Sequence, residues 1–261
     1  MNGMKIPFEI IVVDDGSSDR TYEIAENTAV QVIRHFGNRG VGRARKTGIE
    51  AARGEIIVMI DADNSYPAEE IPTLLSYMNR CDMVVGDRSI EAGTRPLLRA
   101  FAKRMIRWIA SYLTRQRIYD LNSGLRAFRK ETVLPYFPIL PEGHSWVSTI
   151  TIAYLASGLT VKYTPIDYYK RTGASTFSPV GDTASFIGLV FRTVMFFKPL
   201  RFFLPVVGVL FGVGVLKMIW LDQAFGTNTL SASTVMILMT SLILFAIGVL
   251  AEIQVRLFRS W

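Results

Sequence analysis

Two carboxylates separated by one residue, Asp61-Ala62-Asp63, follow the apolar run Ile56-Ile57-Val58-Met59-Ile60. The run reads as a buried parallel strand. Open α/β sheets bind their ligands at the carboxyl ends of such strands. Carboxylates placed there suit a hard divalent cation, Mg²⁺ or Mn²⁺, and that cation in turn suits a diphosphate. A solvated acidic loop is the plainer alternative for three residues taken alone. A second acidic turn, Asp14-Asp15-Gly16-Ser17-Ser18-Asp19, ends the apolar segment from Phe8 to Val13. It also suits an Asx-type loop with a helix cap. Asp87-Arg88 stands at a third strand end, where a basic side chain meets either a phosphate or a local partner such as Glu91.

These residues need a scaffold, and the patterning supplies one. Strands are expected over Phe8 to Val13, Val30 to Ile33, Ile56 to Ile60 and Asp82 to Val85. Helices are expected from near Arg20, from Gly40 to Ala52 and from Pro67 to Met78, with Ser18 or Asp19 as a cap and Pro67 at a helix start. Strands alternating with helices predict an α/β domain with a Rossmann-like, mostly parallel sheet. Arg95 to Arg117 reads as an amphipathic helix. Leu97, Leu98, Phe101, Met105, Ile109 and Tyr112 share one side, and Arg99, Lys103 and Arg107 recur on another. A basic face opposite an apolar one suits an anionic membrane surface.

The chain has 261 residues, half of them apolar, and a formal charge of +7. Two apolar stretches, Phe202 to Leu221 and about Thr234 to Ala251, are long enough to span a bilayer as helices. Arg192, Lys198 and Arg201 precede the first, and Arg256 and Arg259 follow the second, while Asp222 to Ser233 holds neither Lys nor Arg. The positive-inside rule therefore puts both termini in the cytoplasm. Lys217 is expected to snorkel at the outer end of its span. The expected organisation is a catalytic domain over 1–178, an amphipathic juxtamembrane segment over 179–201 and a membrane hairpin over 202–261. The N-terminus is too polar for a cleavable signal peptide, and the single Cys81 excludes an internal disulfide. A membrane anchor argues against nucleic acid as the partner of the basic helix. The spans leave association between copies of the chain open.

Four motifs stand in one order: Val12-Val13-Asp14-Asp15-Gly16-Ser17-Ser18-Asp19-Arg20-Thr21; Asn38-Arg39-Gly40 with Ala44-Arg45 and Gly48; Asp61-Ala62-Asp63; and Asp120-Leu121-Asn122-Ser123-Gly124-Leu125-Arg126. Together, over roughly residues 8–178, they resemble the family-2 glycosyltransferases of GT-A fold. Within that family they resemble the polyprenyl-phosphate glycosyltransferases, which include the dolichyl-phosphate mannose and glucose synthases. The resemblance implies transfer of a sugar from a nucleotide-diphosphate sugar to a polyprenyl (undecaprenyl or dolichyl) phosphate, with inversion and with Mg²⁺ or Mn²⁺. It implies that Asp14 and Asp15 serve the nucleobase end, Asp15 directly and Asp14 structurally. Arg45 would lie near the diphosphate, with the start of its helix favouring negative charge. Asp63 would ligate the cation and Asp61 would lie nearer the ribose or a metal-bound water. Arg99 and Ser123 would serve the acceptor phosphate, Asp120 would orient that loop or contact the sugar, and Arg117 or Arg126 would make a further phosphate contact; Arg88, from its place at a strand end, would meet the donor or the acceptor phosphate. Arg171 and Ser175, in the segment Lys170-Arg171-Thr172-Gly173-Ala174-Ser175, would close over the donor diphosphate. Asp61, Asp63, Arg99 and Ser123 form the implied catalytic set. Ser65 replaces a Gln that ligates in some relatives, and Tyr119 replaces an Arg.

Transfer to a hydroxyl needs a general base. The stretch where many relatives carry a Glu-Asp pair reads Gly143-His144-Ser145-Trp146-Val147-Ser148-Thr149 and holds no carboxylate. A phosphate acceptor, with a second pKa near 6, needs none. Two alternatives stand beside this reading: transfer to a lipid hydroxyl with His144 as base, and an inactive membrane scaffold. The second follows from the resemblance, since relatives begin with a further strand and a Pro-x-Tyr-Asn-Glu loop, which would leave this sheet one inner strand short. There is no Q-x-x-R-W motif, so polymer synthesis is not expected.

Overall fold

The computed structural model describes residues 6–88, 111–112, 114–143, 145–169, 195–222 and 230–259. Two units divide the chain, Met1–Val190 and Phe191–Trp261. Their boundary falls within the segment expected to be juxtamembrane.

Among the described residues, six strands organise the first unit. β1 (Ile11–Asp14) and β2 (Gln31–Arg34) pair in parallel, joined by the short helix α1 (Thr21–Glu26). The Asp19 carboxylate accepts from the Thr21 amide at 3.0 Å, as a residue at a helix entry does. α2 (Val41–Ala51) follows, then β3 (Ile56–Met59), a 3₁₀ turn over Ala68–Glu70 and α3 (Ile71–Ser76). β4 is Met83–Asp87, β5 is Arg126–Arg129 and β6 is Val161–Pro165. These last strands and β3 form a second sheet in the order β3-β5-β4-β6. β4 and β6 are parallel, and β5 runs antiparallel to both of its neighbours. The sheet is therefore mixed, where the sequence pattern implied a mostly parallel one. β5 is the reason: it enters between β3 and β4 and reverses the local direction.

Burial follows the two-residue period of the strands. Ile57, Met59, Met83, Val85 and Phe128 face one way, into a core with Ile49 of α2 and Trp146, Val147, Ile150 and Tyr154 of α5 (Trp146–Ser157). Val58, Val84, Leu125 and Ala127 face the other way, against Ile71, Leu74 and Met78 around α3. Both faces are covered, which is why β3 and β4 read as continuous apolar runs. α5 is buried from Trp146 to Ala156, ends at Gly158 in a left-handed C-cap and shows no polar stripe. The short helix α4 (Lys130–Val133) lies between β5 and α5 in sequence.

The second unit is a helical hairpin. α6 (Pro199–Leu216) runs into a π-helical turn over Lys217–Asp222, and α7 spans Ala232–Arg259. Both helices are long and apolar enough to cross a membrane. Gly214 lets α6 lie close to Leu238, and the Ser241 hydroxyl donates to the Val207 carbonyl at 3.2 Å. Lys217 was expected to snorkel. Its ammonium donates to the hydroxyls of Ser231 (2.6 Å) and Thr234 (3.0 Å), at the start of α7.

Candidate functional site

The carboxyl ends of β1, β3 and β4 and the entry to β5 carry the polar residues that the sequence singled out. α2 links two of these ends. At its start, the Gly40 amide donates to Asp15 Oδ2 at 2.7 Å; further along, Arg45 Nη2 donates to Asp61 Oδ1 at 3.0 Å. The first turn of α2 is closed by a peptide carbonyl. The amides of Gly42 (2.6 Å) and Arg43 (3.2 Å) both donate to the Glu142 oxygen. Gly42 is required at that approach, since a Cβ there would strike Pro141 O and would lie 2.6 Å from the Glu142 carbonyl carbon. Lys46 completes the clamp by donating to Leu140 O at 2.6 Å, and burial lowers its pKa. The amides of Gly42 and Arg43 therefore already have an acceptor, and the negative charge held at this helix start is that of Asp15 on the Gly40 amide.

Asp14 and Asp15 have separate tasks. Asp14 is buried, accepts from the Ser17 amide at 3.2 Å and pairs with Arg34 at 3.3 Å, so it shapes the turn. Asp15 keeps 18% of its side chain exposed. Its Oδ1 accepts from His35 Nδ1 at 2.7 Å and from the Arg39 amide at 3.0 Å. Burial pushes the Asp15 carboxyl up, but the hydrogen bonds from His35, Arg39 and Gly40 outweigh it and hold the group below the usual carboxylate range. His35 is braced in turn by Thr47 of α2, 3.0 Å from Nε2. In the neutral ring that donates from Nδ1, Nε2 accepts from the Thr47 hydroxyl.

Asp61 and Asp63 lie on the loop after β3. Both are partly exposed, and Asn64 beside them takes a left-handed conformation (φ 60°) that suits a tight strand exit. Ser65 is buried. Its amide donates to Asp63 Oδ1 at 3.1 Å and its hydroxyl donates to the same oxygen. Ser65, weighed in the sequence as a poor substitute ligand, is a brace for Asp63. Asp61 is held in an ion pair by Arg45, whose guanidinium also lies 5.9 Å above the Trp146 ring. Among the described residues no group of three or more His, Cys, Asp or Glu gathers. The described residues of this loop therefore offer a cation one or two carboxylates. That donor set fits Mg²⁺ or Mn²⁺, which keep water and substrate oxygens in their shell, and does not fit a closed zinc site.

The turn from Asp120 to Leu125 reaches the same end of the sheet. Gly124 is packed so closely that a Cβ would collide with the Asp61 carboxylate, and its amide donates to the Tyr66 hydroxyl at 2.6 Å. Burial raises the Tyr66 pKa, and Arg88, Asp61 and Ser123 all lie near enough to influence it. Arg88 grips Asp120 with two bonds, Nε to Oδ2 at 2.7 Å and Nη2 to Oδ1 at 3.0 Å. Burial would raise the Asp120 carboxyl, but Arg88 wins and the net shift is downward. Arg88 also lies 5.1 Å over the Tyr168 ring.

Two expectations fail here. Arg126 is fully buried. It donates to Ser123 O through two nitrogens and to Val147 O and Thr151 Oγ1 at 3.0 Å each, so it ties the turn to α5 and does not meet a phosphate. Burial first, then the charge of Arg45, lowers its pKa to about 10, which leaves it a cation at neutral pH. Ser123 is likewise fully buried, and the Gly124 amide is already bonded, so the turn presents neither group to an acceptor. Arg99, Arg171, Ser175 and His144 lie outside the described residues, as does most of the expected helix from Arg95 to Arg117. The sequence reading missed His35, Thr47 and Tyr66. Their only signal was proximity in sequence to motif residues, His35 four before Arg39 and Tyr66 three after Asp63.

Residues 4–132 match the family described as "Glycosyl transferase family 2", and residues 198–257 match a "GtrB C-terminal hairpin". The chain is 30% identical to a dolichyl-phosphate hexose transferase of Haloferax volcanii, over 67% of this chain and 76% of that one. It is 26% identical to a dodecaprenyl-phosphate galacturonate synthase of Rhizobium johnstonii, over 95% and 78%. Among solved structures, glucosyl-3-phosphoglycerate synthase from Mycobacterium tuberculosis in complex with Mn²⁺, UDP-glucose and phosphoglyceric acid shares the fold. Its TM-score is 0.56 at 18% identity, covering 70% of this chain and 68% of that one.

Proposed function

The chain belongs to glycosyl transferase family 2, and from that premise we propose that it transfers a sugar from a nucleoside-diphosphate sugar to a polyprenyl phosphate at the cytoplasmic face of a membrane. The observation that carries the reading is the braced acidic loop: Asp63 fixed by Ser65, beside an Asp61 fixed by Arg45. The names of the relatives supply the acceptor class. The acceptor oxygen forms the new bond to the anomeric carbon while the bond from that carbon to the diphosphate breaks, inverting the centre. A phosphate dianion brings no proton that must be removed, which agrees with the lack of a carboxylate in residues 143–149. Asp15 accepts from the nucleobase. Arg45 sits where it can share its charge between Asp61 and the diphosphate. Asp63 holds a divalent cation, which when bound offsets charge gathering on the leaving diphosphate. The Arg88–Asp120 pair positions the turn that borders the sugar. Arg99, Arg171 and Ser175 retain their roles toward acceptor and donor from the family resemblance. Lys and Arg on both flanks of the hairpin, with none between the spans, favour cytoplasmic termini.

The test is transfer of radiolabelled sugar to membrane lipid from several nucleotide sugars, with and without Mn²⁺. An Asp63→Ala variant should insert normally and lose transfer by about a hundredfold or more, the equivalent of several kcal/mol of charge stabilisation. Retained turnover in Asp63→Ala, or a product stable to mild acid, counts against the reading, because a sugar phosphate ester on lipid is acid-labile.

A further inference from the structure

The hydrogen-bond inventory of one carboxylate bears on which nucleotide the site accepts. An ionised carboxylate has about four lone-pair positions, two on each oxygen. Among the described residues, Asp15 Oδ1 takes both His35 Nδ1–H (2.7 Å) and the Arg39 N–H (3.0 Å). Oδ2 takes the Gly40 N–H (2.7 Å), an amide shared with Asn38 Oδ1 at 3.1 Å. Oδ1 is therefore full, and Oδ2 has one position left. Two of these three donors are held by further contacts. His35 is 8% exposed and pinned on its other side by Thr47, and the Gly40 amide sits at the entry to α2, which the Glu142 carbonyl locks in place.

We infer that Asp15 selects a base offering a single N–H, as uracil does, and rejects guanine. This rests on the reading above in which Asp15 meets the base. Guanine presents two parallel donors, N1–H and N2–H, and a carboxylate satisfies both only with an open position on each oxygen. Here the second donor would meet Oδ1, already saturated, and would be left unpaired as it loses its water. An unpaired buried donor weakens binding by about tenfold or more. Uracil N3–H needs only the position that remains on Oδ2. His35 is then a positioning residue for specificity: it touches no substrate, and it fixes which edge of the carboxylate faces the base.

Isothermal titration of the full chain in detergent, with MnCl₂ and either UDP or GDP, tests the inference. UDP should bind at least about tenfold more tightly than GDP. GDP binding as tightly as UDP, or more so, overturns the inference and leaves Asp15 as a base contact intact. Binding of neither nucleotide by folded protein overturns the base contact itself, and the inference with it. A His35→Phe variant frees Oδ1 and lets the carboxylate turn, so the UDP-to-GDP affinity ratio should fall several-fold. An unchanged ratio in a folded His35→Phe protein would place the selectivity elsewhere and overturn the assignment.

Discussion

Replacing Tyr66 with Phe removes one oxygen atom and leaves the ring. That oxygen accepts the Gly124 amide at 2.6 Å, within a residue only 6% exposed. The ring's edge-on contact with Tyr168, 5.2 Å between centroids, should persist. The variant therefore leaves the Gly124 amide without its acceptor and also removes the hydroxyl that Ser123 meets. Such a loss costs about 1–3 kcal/mol. For a unit of roughly 190 residues, each kcal/mol lowers the melting temperature by about 2–4 °C, so the variant should melt about 2–12 °C lower. The functional consequence runs through Gly124, whose α-carbon lies against the Asp61 carboxylate. Once the turn is released, Asp61 can shift. Misplacement of a positioned group by about 1 Å can cost a hundredfold in rate, so kcat should fall by about ten- to a hundredfold. The measurements are thermal unfolding of the detergent-solubilised chain and initial rates of sugar transfer. A Tyr66→Phe protein that melts with the parent refutes the hydrogen bond. One that melts early yet turns over at the parental rate refutes the coupling between the turn and the acidic loop.

The Arg88–Asp120 pair gives a signed pH dependence. The folded Asp120 pKa is depressed below its unfolded value near 3.9, so its contribution is present above about pH 4 and is lost as pH falls through the lower folded value. Arg88→Gln leaves a carboxylate buried without its cation and should cost about 3–5 kcal/mol at pH 7, with part regained in the Arg88→Gln/Asp120→Asn double variant; a denaturant titration at pH 7 and pH 3 checks both. Gly42→Ala should destabilise by at least about 1–3 kcal/mol, because the new methyl meets the backbone of Pro141 and Glu142; parental stability would show that the 141–142 segment is free to move away.

Much of the scaffold was legible because it is local. The strand before Asp61, the Gly-rich entry to α2 and the strand leading to Asp87 declare themselves within a few residues. β5 did not, since Arg126-Ala127-Phe128-Arg129 carries a charge at each end and gains its strand character only from β3 and β4 on either side. Arg126 was misjudged for the same reason. An arginine after a turn reads as exposed until Val147 and Thr151, more than twenty residues on, supply its acceptors. The links that shape the site are likewise distant in sequence: His35 with Asp15, Tyr66 with Gly124, and the Glu142 carbonyl with Gly42. A propensity window contains one partner of each pair, never both.

The carbonyl of Glu142 has a consequence for how such a site changes over time. Many anion pockets rely on the bare amides of a helix tip, a feature of the main chain that no point substitution except to proline removes. Here that tip is plugged by the protein itself. Under the proposed function, attraction for a diphosphate then falls to side chains such as the Arg45 guanidinium, encoded by one codon. Preference among anionic ligands can then drift by single replacements while the framework stays untouched.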